Sequence, residues 1–362
     1  MKVLALTKYD REAASTRQRL LQYLPALAAA GIEVDYQPLL DDAYIRSLTG
    51  NGRASRVAIL SSYLARLKTL SRRPDANLIW VYAELFPWLP AWFEGLVHRW
   101  GIPVVYDYDD AFFVPYDGHP RSLVRGLLTD KLRPLIQGAA ACTCGNEYLR
   151  EYAQLWCERS MVVPTVVDTD RYVPAARAIE QPVIGWIGSP TTWANVRPLL
   201  PLLARLHRET GVRIRAVGAG KAAEADRFQG LELVDWTEAS EIAEVQRFTI
   251  GIMPLLDAPF QRGKSGYKLI QYMACGLPTV ASPVGVNQQI VVDGTTGLLA
   301  TTEDEWEKAL RRLLDDRASG IQMGGVGRHR AVEHYSLASQ APRLIRLFRE
   351  LAKQDQEGRA AV

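Results

Sequence analysis

Basic residues, glycines and amides concentrate in one stretch, Arg262 to Gln289, which reads RGKSGYKLIQYMACGLPTVASPVGVNQQ. Lys264 and Lys268 are four apart, so on a helix they would share a face. Ser265 is the expected N-cap, and Gly276 with Pro278 the expected stop. A helix N-terminus gathers unpaired N–H groups and a positive dipole, so added lysines make it a seat for a diphosphate. Lysines that simply face water are the competing reading. Two further groups could do chemistry. Ser15, Thr16, Arg17 and Arg19 bring hydroxyls and guanidinium groups to one helix start, which suits an anion as well as it suits solvent. Asp107, Asp109 and Asp110 follow the apolar run PVVY, where carboxylates do not help a core. Capping the next helix and pairing with Arg121, Arg125 or the Arg17/Arg19 pair compete with a role in a cleft. A metal site there lacks histidine support.

The elements that must position these groups follow from periodicity. Lys2–Leu6 reads as a buried strand, followed by a polar loop, a Leu-rich helix ending at Gly31, and the strand IEVDYQPL. Strand, loop, helix and strand in that order open a doubly wound α/β domain, in which ligands meet the loops at the carboxyl ends of the strands. Asn77–Tyr82, Pro103–Tyr106, Ala139–Cys144 and Met161–Val163 read as further strands. A Pro- and Asp-containing stretch then interrupts the pattern, and Pro182–Gly188 restarts it. Val212–Val217, Leu231–Val234 and Ile250–Pro254 continue as strands, with a helix over Glu238–Arg247. Helices are also expected over Glu303–Leu314 and after Tyr335. The division is residues 1–170, a linker over 171–181, a second domain over 182–335, and a C-terminal helix over 336–362 that returns to the first domain.

Between Arg46 and Arg73 the chain carries Arg53, Arg56, Arg66, Lys68 and Arg72, with no acid between Asp42 and Asp75. Val57, Leu60, Leu64 and Leu67 fall on one helical face. That face is expected to pack on the sheet, as for any outer helix of this fold. Its alternative is a dock on an anionic membrane surface, next to the aromatic segment of Phe86, Trp88, Trp92, Phe93 and Trp100. The 362 residues exceed one ordinary core, and 48% hydrophobic with 23% charged content is that of a soluble globular protein. A net charge of +3, from 43 basic and 40 acidic residues, argues against a nucleic-acid partner. The N-terminal MKVLALT lacks the long apolar core of a signal peptide, so the expected location is cytoplasmic with four reduced cysteines. The first turn, KYDREAASTRQR, has no Gly-x-Gly-x-x-Gly, which disfavours a dinucleotide-dependent dehydrogenase.

On the order of elements and on KLIQYMACGLPTVASPVGVNQQIVVDGTTGLLA, the chain resembles the retaining GT-B glycosyltransferases of family 4. Their hallmark runs E-x-x-x-x-x-x-x-E-A-M-A-x-G-x-P-V-V and then a glycine-rich turn. Leu269–Val280 and Gly285–Leu299 follow it closely, and VVPTVVDTDRYVP resembles the family's interdomain segment. The resemblance implies two Rossmann-like domains facing a cleft, the first binding acceptor and the second a nucleotide-diphosphate sugar, with no metal and no separate cofactor. It also implies residue roles. Gln271 stands at the second glutamate of the hallmark, which grips the ribose, and Gly263 at the first. The family's Arg…Lys pair is missing from GSPTTWANVRP, and Arg262, Lys264 and Lys268 would supply that charge. Asp109 stands in the family's His-Asp region and would face the reacting sugar. Gly188 and Ser189 would approach the phosphate, Gly218 and Trp236 the base and ribose, and Asn287 and Gln288 the sugar hydroxyls, with Ser15 and Arg17 across the cleft.

The expected activity is transfer of a hexose, with retention, to a saccharide or polyprenyl-linked saccharide in surface polysaccharide or glycoconjugate synthesis. Peripheral contact with the inner membrane face is expected with it. An epimerase or phosphorylase on the same fold, or a nucleotide-binding pseudoenzyme, is the alternative that the missing glutamates leave open.

Overall fold

The computed structural model describes residues 1–49, 54–175 and 181–360. Arg53 of the expected basic helix and residues 176–180 of the expected linker lie outside the described residues. The chain divides into two units. Unit 1 holds Met1–Thr165, Gly263–Ser265 and the chain from Gln340 onward, and unit 2 holds Val166–Arg262 and Gly266–Ser339.

Unit 1 is built on six parallel strands: β1 (Lys2–Tyr9), β2 (Glu33–Leu40), β3 (Leu78–Tyr82), β4 (Val104–Tyr108), β5 (Ala141–Cys144) and β6 (Ser160–Val162). Their order is β2-β1-β3-β4-β5-β6, with Val3 opposite both Val34 and Leu78. Every residue of β3, β4 and β5 is buried. That pattern follows from crossover helices covering both faces of a parallel sheet, which is why these strands read as unbroken apolar runs. The helices that matter below are α1 (Ala14–Arg19), α2 (Arg56–Ser71) and α3 (Ser122–Leu128). From Gln340 on, the C-terminal helix Leu337–Ala360 packs on this unit, with Phe348 edge-on to Trp80 at 5.2 Å between ring centres.

Unit 2 repeats the plan with β7 (Val183–Ile187), β8 (Arg213–Val217), β9 (Leu231–Val234), β10 (Ile250–Met253), β11 (Thr279–Ala281) and β12 (Leu298–Leu299), ordered β12-β11-β10-β7-β8-β9. Its working helices are α4 (Glu241–Val245), α5 (Tyr267–Ala274) and α6 (Asn287–Ile290). One apolar cluster, including Trp186, Trp193 and Trp306, fills one side of the sheet. A second, including Phe248, Tyr272 and Met273, fills the other.

In each sheet the strand order reverses once, between β1 and β3 in unit 1 and between β7 and β10 in unit 2. At such a switch point the connections leave toward opposite faces and open a crevice at the carboxyl ends of the strands. Each unit is therefore α/β, doubly wound and Rossmann-like.

A helix not assigned from the sequence spans Arg317–His334. A Cβ on Gly324 would lie 2.1 Å from the Gly276 carbonyl oxygen, so that glycine lets the helix approach backbone and does not break it. The helix expected over Glu238–Arg247 is shorter, Glu241–Val245.

Candidate functional site

The unit 2 crevice is assembled by close glycine contacts. Gly188 follows β7, and its N–H donates to Val217 O of β8 at 3.0 Å. Gly218, at φ +79°, lies so near that a Cβ would sit 2.2 Å from Gly188 O and 3.1 Å from Trp236 Cβ. The turns after β7, β8 and β9 therefore meet, and Gly188, Gly218 and Trp236 come together. Ser189 opens a capping box with Thr192, which engages its hydroxyl locally.

On the other side of the switch point, α5 starts at Gly266, φ +68°, and not at Ser265. A Cβ there would meet Ile290 Cδ1 at 2.2 Å, because α6 braces the start of α5. Lys268 lies in the first turn of α5, with Nζ 5.7 Å from the centre of the Trp186 ring at the end of β7. Lys264 precedes the helix and does not share a face with Lys268. It belongs to unit 1, where its ammonium meets both Asp110 oxygens at 3.0 Å and its carbonyl accepts from Asn146.

One turn beyond Lys268, Gln271 is 2% exposed. Its Nε2 donates to Glu241 Oε1 at 2.9 Å and to the Tyr172 hydroxyl oxygen at 3.1 Å. Trp236 Nε1 donates to the other Glu241 oxygen at 2.6 Å, and the Tyr172 hydroxyl donates to Glu241 as well. Burial, with Tyr267 and Glu241 adding to it, pushes the Tyr172 hydroxyl well above the ordinary tyrosine range, so it stays a donor. Glu241 was missed in the sequence because it sits in a polar run, ASEIAEV, with no pattern of its own. It explains the amide at 271: a glutamate there would set two carboxylates against each other.

Asn287 is fully buried, its Nδ2 donating to Ser282 O at 3.0 Å, while its Oδ1 has no hydrogen-bond partner. That oxygen lies 3.6 Å from where a Gly266 Cβ would stand. Gln288 turns back to Pro283 O at 2.7 Å, and Arg262 pairs with Asp257 at 2.7 and 3.0 Å. Arg262 stands beside the glycine turn, since a Gly285 Cβ would be 2.5 Å from Arg262 O.

Unit 1 presents a different chemistry at its own switch point. Lys8, near the end of β1, donates to Glu84 Oε2 at 2.5 Å, just past β3. Glu84 is 1% exposed, and the Tyr116 hydroxyl donates to its second oxygen. Burial works against the Lys8 ammonium, but Glu84 and Tyr9 outweigh it and leave its pKa above the ordinary lysine value. Between β3 and Glu84, Ala83 holds φ +68°, a left-handed conformation costing a non-glycine residue roughly 1–2 kcal/mol. Such strain collects where a backbone must aim a functional side chain. Neither Lys8 nor Glu84 stood out in the sequence, where ELFPWLP drew attention through its aromatics.

The carboxylates after β4 divide their roles. Asp107 takes the Arg19 fork and the Thr143 hydroxyl at 2.8 Å. Burial raises its carboxyl, against the pull of Arg19 and Thr143 toward the ionised form. Asp109, expected to face a sugar, is instead 4% exposed and accepts from Tyr82 at 2.7 Å and Thr165 at 3.3 Å. Strand alternation puts Asp107 and Asp109 on the same side as Tyr82 and Arg19, inside the unit, and leaves Asp110 to Lys264. Ser15 lies in the first turn of α1, and Arg17 Nη1 donates to Arg11 O at 2.7 Å. Among the described residues no group of His, Cys, Asp and Glu is placed to hold a metal ion.

The basic helix also departs from expectation. Arg66 points inward, 3% exposed, donating to Thr7 O and Gln37 O, and burial lowers its pKa to about 10. Val57, Leu60 and Leu64, expected against the sheet, are 78%, 61% and 57% exposed. Turning Arg66 and Leu70 to the sheet rotates that face outward.

Residues 181–316 match the family model described as Glycosyl transferases group 1. Alpha-maltose-1-phosphate synthase of Mycolicibacterium smegmatis is 24% identical over 240 residues, 57% of this chain and 61% of that protein's length. The chain thus spans about three fifths of that curated relative. Among solved structures, sucrose-phosphate synthase from Thermosynechococcus elongatus superposes with a TM-score of 0.75 at 18% identity, covering 97% of this chain and 99% of that one. HepE from Anabaena, in complex with UDP and glucose, gives 0.66 at 14% identity over 100% of both chains. At these identities the solved structures establish the fold.

Proposed function

We propose that this chain, which through residues 181–316 belongs to the glycosyl transferases group 1 family, moves a hexose from a nucleotide-diphosphate sugar to a saccharide or lipid-linked saccharide acceptor. The observation that carries the reading is the unit 2 crevice. There the turns of Gly188 and Gly218, the indole of Trp236, the Lys268 side chain and the start of α5 converge on one switch point. This is the equipment a departing nucleoside diphosphate needs: backbone that can approach phosphate, a cation and a helix N-terminus for its charge. The buried Asn287 Oδ1, lacking a protein donor, is suited to accept from a sugar hydroxyl. UDP and glucose in HepE are consistent with that ligand class.

In this reading Lys268 and the α5 N-terminus stabilise the negative charge that grows on the diphosphate as the glycosidic bond breaks. Glu241, oriented by Trp236, Tyr172 and Gln271, accepts from ribose hydroxyls. The acceptor hydroxyl attacks from the leaving group's side, its proton passing to the donor phosphate, and the anomeric configuration is retained. No metal is assigned a role. A nucleotide-binding protein without transfer is the second reading, favoured by the enclosure of Asp109 between Tyr82 and Thr165.

A panel of nucleoside diphosphates in a thermal-shift assay tests the binding half, because a ligand at 100 times its Kd adds about 2.7 kcal/mol to the native state. Incubation with the matching nucleotide sugars, read by NMR at the anomeric position, tests the transfer half. Shift without transfer or donor hydrolysis selects the second reading. The inverted anomer as sole product overturns retention, and no shift with any diphosphate overturns both readings.

A further inference from the structure

Unit 1 carries an uncovered apolar surface that the sugar-transfer reading does not use. On α2, Val57, Leu60 and Leu64 recur at i, i+3 and i+7 and face solvent. The loop after β3 adds Trp88 and Trp92, 55% and 60% exposed. Leu123 and Leu127, four apart on α3, are 74% and 60% exposed. Scattered exposed leucines need no explanation, but a contiguous set does.

These elements adjoin. The Tyr63 hydroxyl on α2 donates to Pro87 O at 2.7 Å, and its ring lies 6.2 Å from Phe86. Trp88 packs edge-on to Tyr116 at 5.1 Å and to His119 at 6.2 Å, just ahead of α3. The surface is also held stiffly in place. Glu94 accepts from the N–H groups of Leu85 and Phe86 at 2.8 and 3.0 Å and pairs with Lys131 at 2.8 Å, both side chains fully buried. Lys131 then ties down Leu89 O at 2.7 Å. A buried ion pair thus anchors both ends of the loop that displays the two tryptophans.

The exposed charges carried by α2 and α3 are of one sign. Arg56 and Lys68 on α2, and Arg121 and Arg125 at α3, are exposed. No acid occurs between Asp42 and Asp75, nor between Asp117 and Asp130. Aromatic and aliphatic side chains beside these exposed arginines and lysine, with Asp117 and Asp130 only half-buried next to them, complement a surface that is apolar within and anionic at its edge. A second copy of the chain fits less well, since a two-fold contact would bring the same cations face to face. We infer that α2, the loop after β3 and α3 form a docking face for an anionic phospholipid bilayer. No helix among the described residues is long and apolar enough to cross a membrane, so the contact is peripheral.

The inference does not depend on sugar transfer, and its test uses no donor. The full chain is sedimented with phosphatidylglycerol-rich vesicles and with phosphatidylcholine vesicles. Association with the first and much less with the second is expected, weakening several-fold as salt shortens the screening length from about 10 Å at 0.1 M to about 3 Å at 1 M. The variant Leu60→Ser/Leu64→Ser/Trp92→Ser should lose about tenfold or more in partitioning. Its melting temperature should shift little, because the three side chains are more than half exposed. Wild-type protein that stays in the supernatant, or a folded variant that partitions equally, overturns the inference. So does a solution dimer that the same variant dissolves.

Discussion

Replacing Gln271 by Glu should turn a buried polar contact of unit 2 into a pH-dependent fault. Gln271 Nε2 stands 2.9 Å from Glu241 Oε1, in a side chain 2% exposed. Two carboxylates at that distance repel by about 6 kcal/mol at an effective dielectric of about 20. Taking up one proton is cheaper. With an unfolded glutamate pKa of about 4.3, holding that proton at pH 7 costs about 2.7 units, or about 3.7 kcal/mol. The variant therefore binds the proton, and exposure of the Glu241 edge trims the loss to about 2–4 kcal/mol at pH 7. The folded pKa is raised above the unfolded one, so the folded state holds the extra proton between them. The deficit relative to wild type shrinks by about 1.4 kcal/mol for each unit the pH falls and closes near about pH 4. Urea unfolding of both proteins at several pH values measures this. The exchange Glu241→Gln/Gln271→Glu, which restores one amide and one carboxylate, should recover most of the loss. A deficit that does not vary with pH, or an exchange variant no better than the single one, would refute the reasoning.

Lys268→Ala should lower turnover with a nucleotide sugar by about 100-fold while shifting the melting temperature little; unchanged kcat/KM would remove Lys268 from the donor site. Lys131→Met leaves the Glu94 carboxylate charged, fully buried and unpaired, so urea unfolding should show a loss of about 3–5 kcal/mol. Gly285→Ala adds a left-handed penalty at φ +55° to a contact of 2.5 Å with backbone, and should cost about 3 kcal/mol or more. Gly294→Ala, at φ +72° with open space around it, should cost only about 1 kcal/mol, and equal losses by urea titration would deny the close approach.

Strands were legible where both faces are buried, because the crossover helices of a parallel sheet leave long apolar runs such as NLIWVY and PVIGWI. The glycines after β7, β8 and β11 were legible too, since backbone contact tolerates little else. Other residues misled. Lys264 and Lys268 read as a pair until Gly266 separated them and Asp110 took the first.

Order and spacing along the chain determined by themselves the two doubly wound units, the glycine turns after β7, β8 and β11, and a helix within residues 262–289. Each of these depends on local backbone geometry and short-range periodicity. The partners of the charged residues were decided only in three dimensions. Arg19 meets Asp107 across 88 positions, Lys8 meets Glu84 across 76, and Gln271 meets Glu241 across 30. Burial makes an unpaired charge too costly to keep, but many partners could satisfy that requirement equally well. Which one does so depends on strand order, and strand order is a property of the folded sheet. The same holds for the outward face of α2: its apolar spacing was plain in the sequence, and the inward turn of Arg66 decided which way it looks.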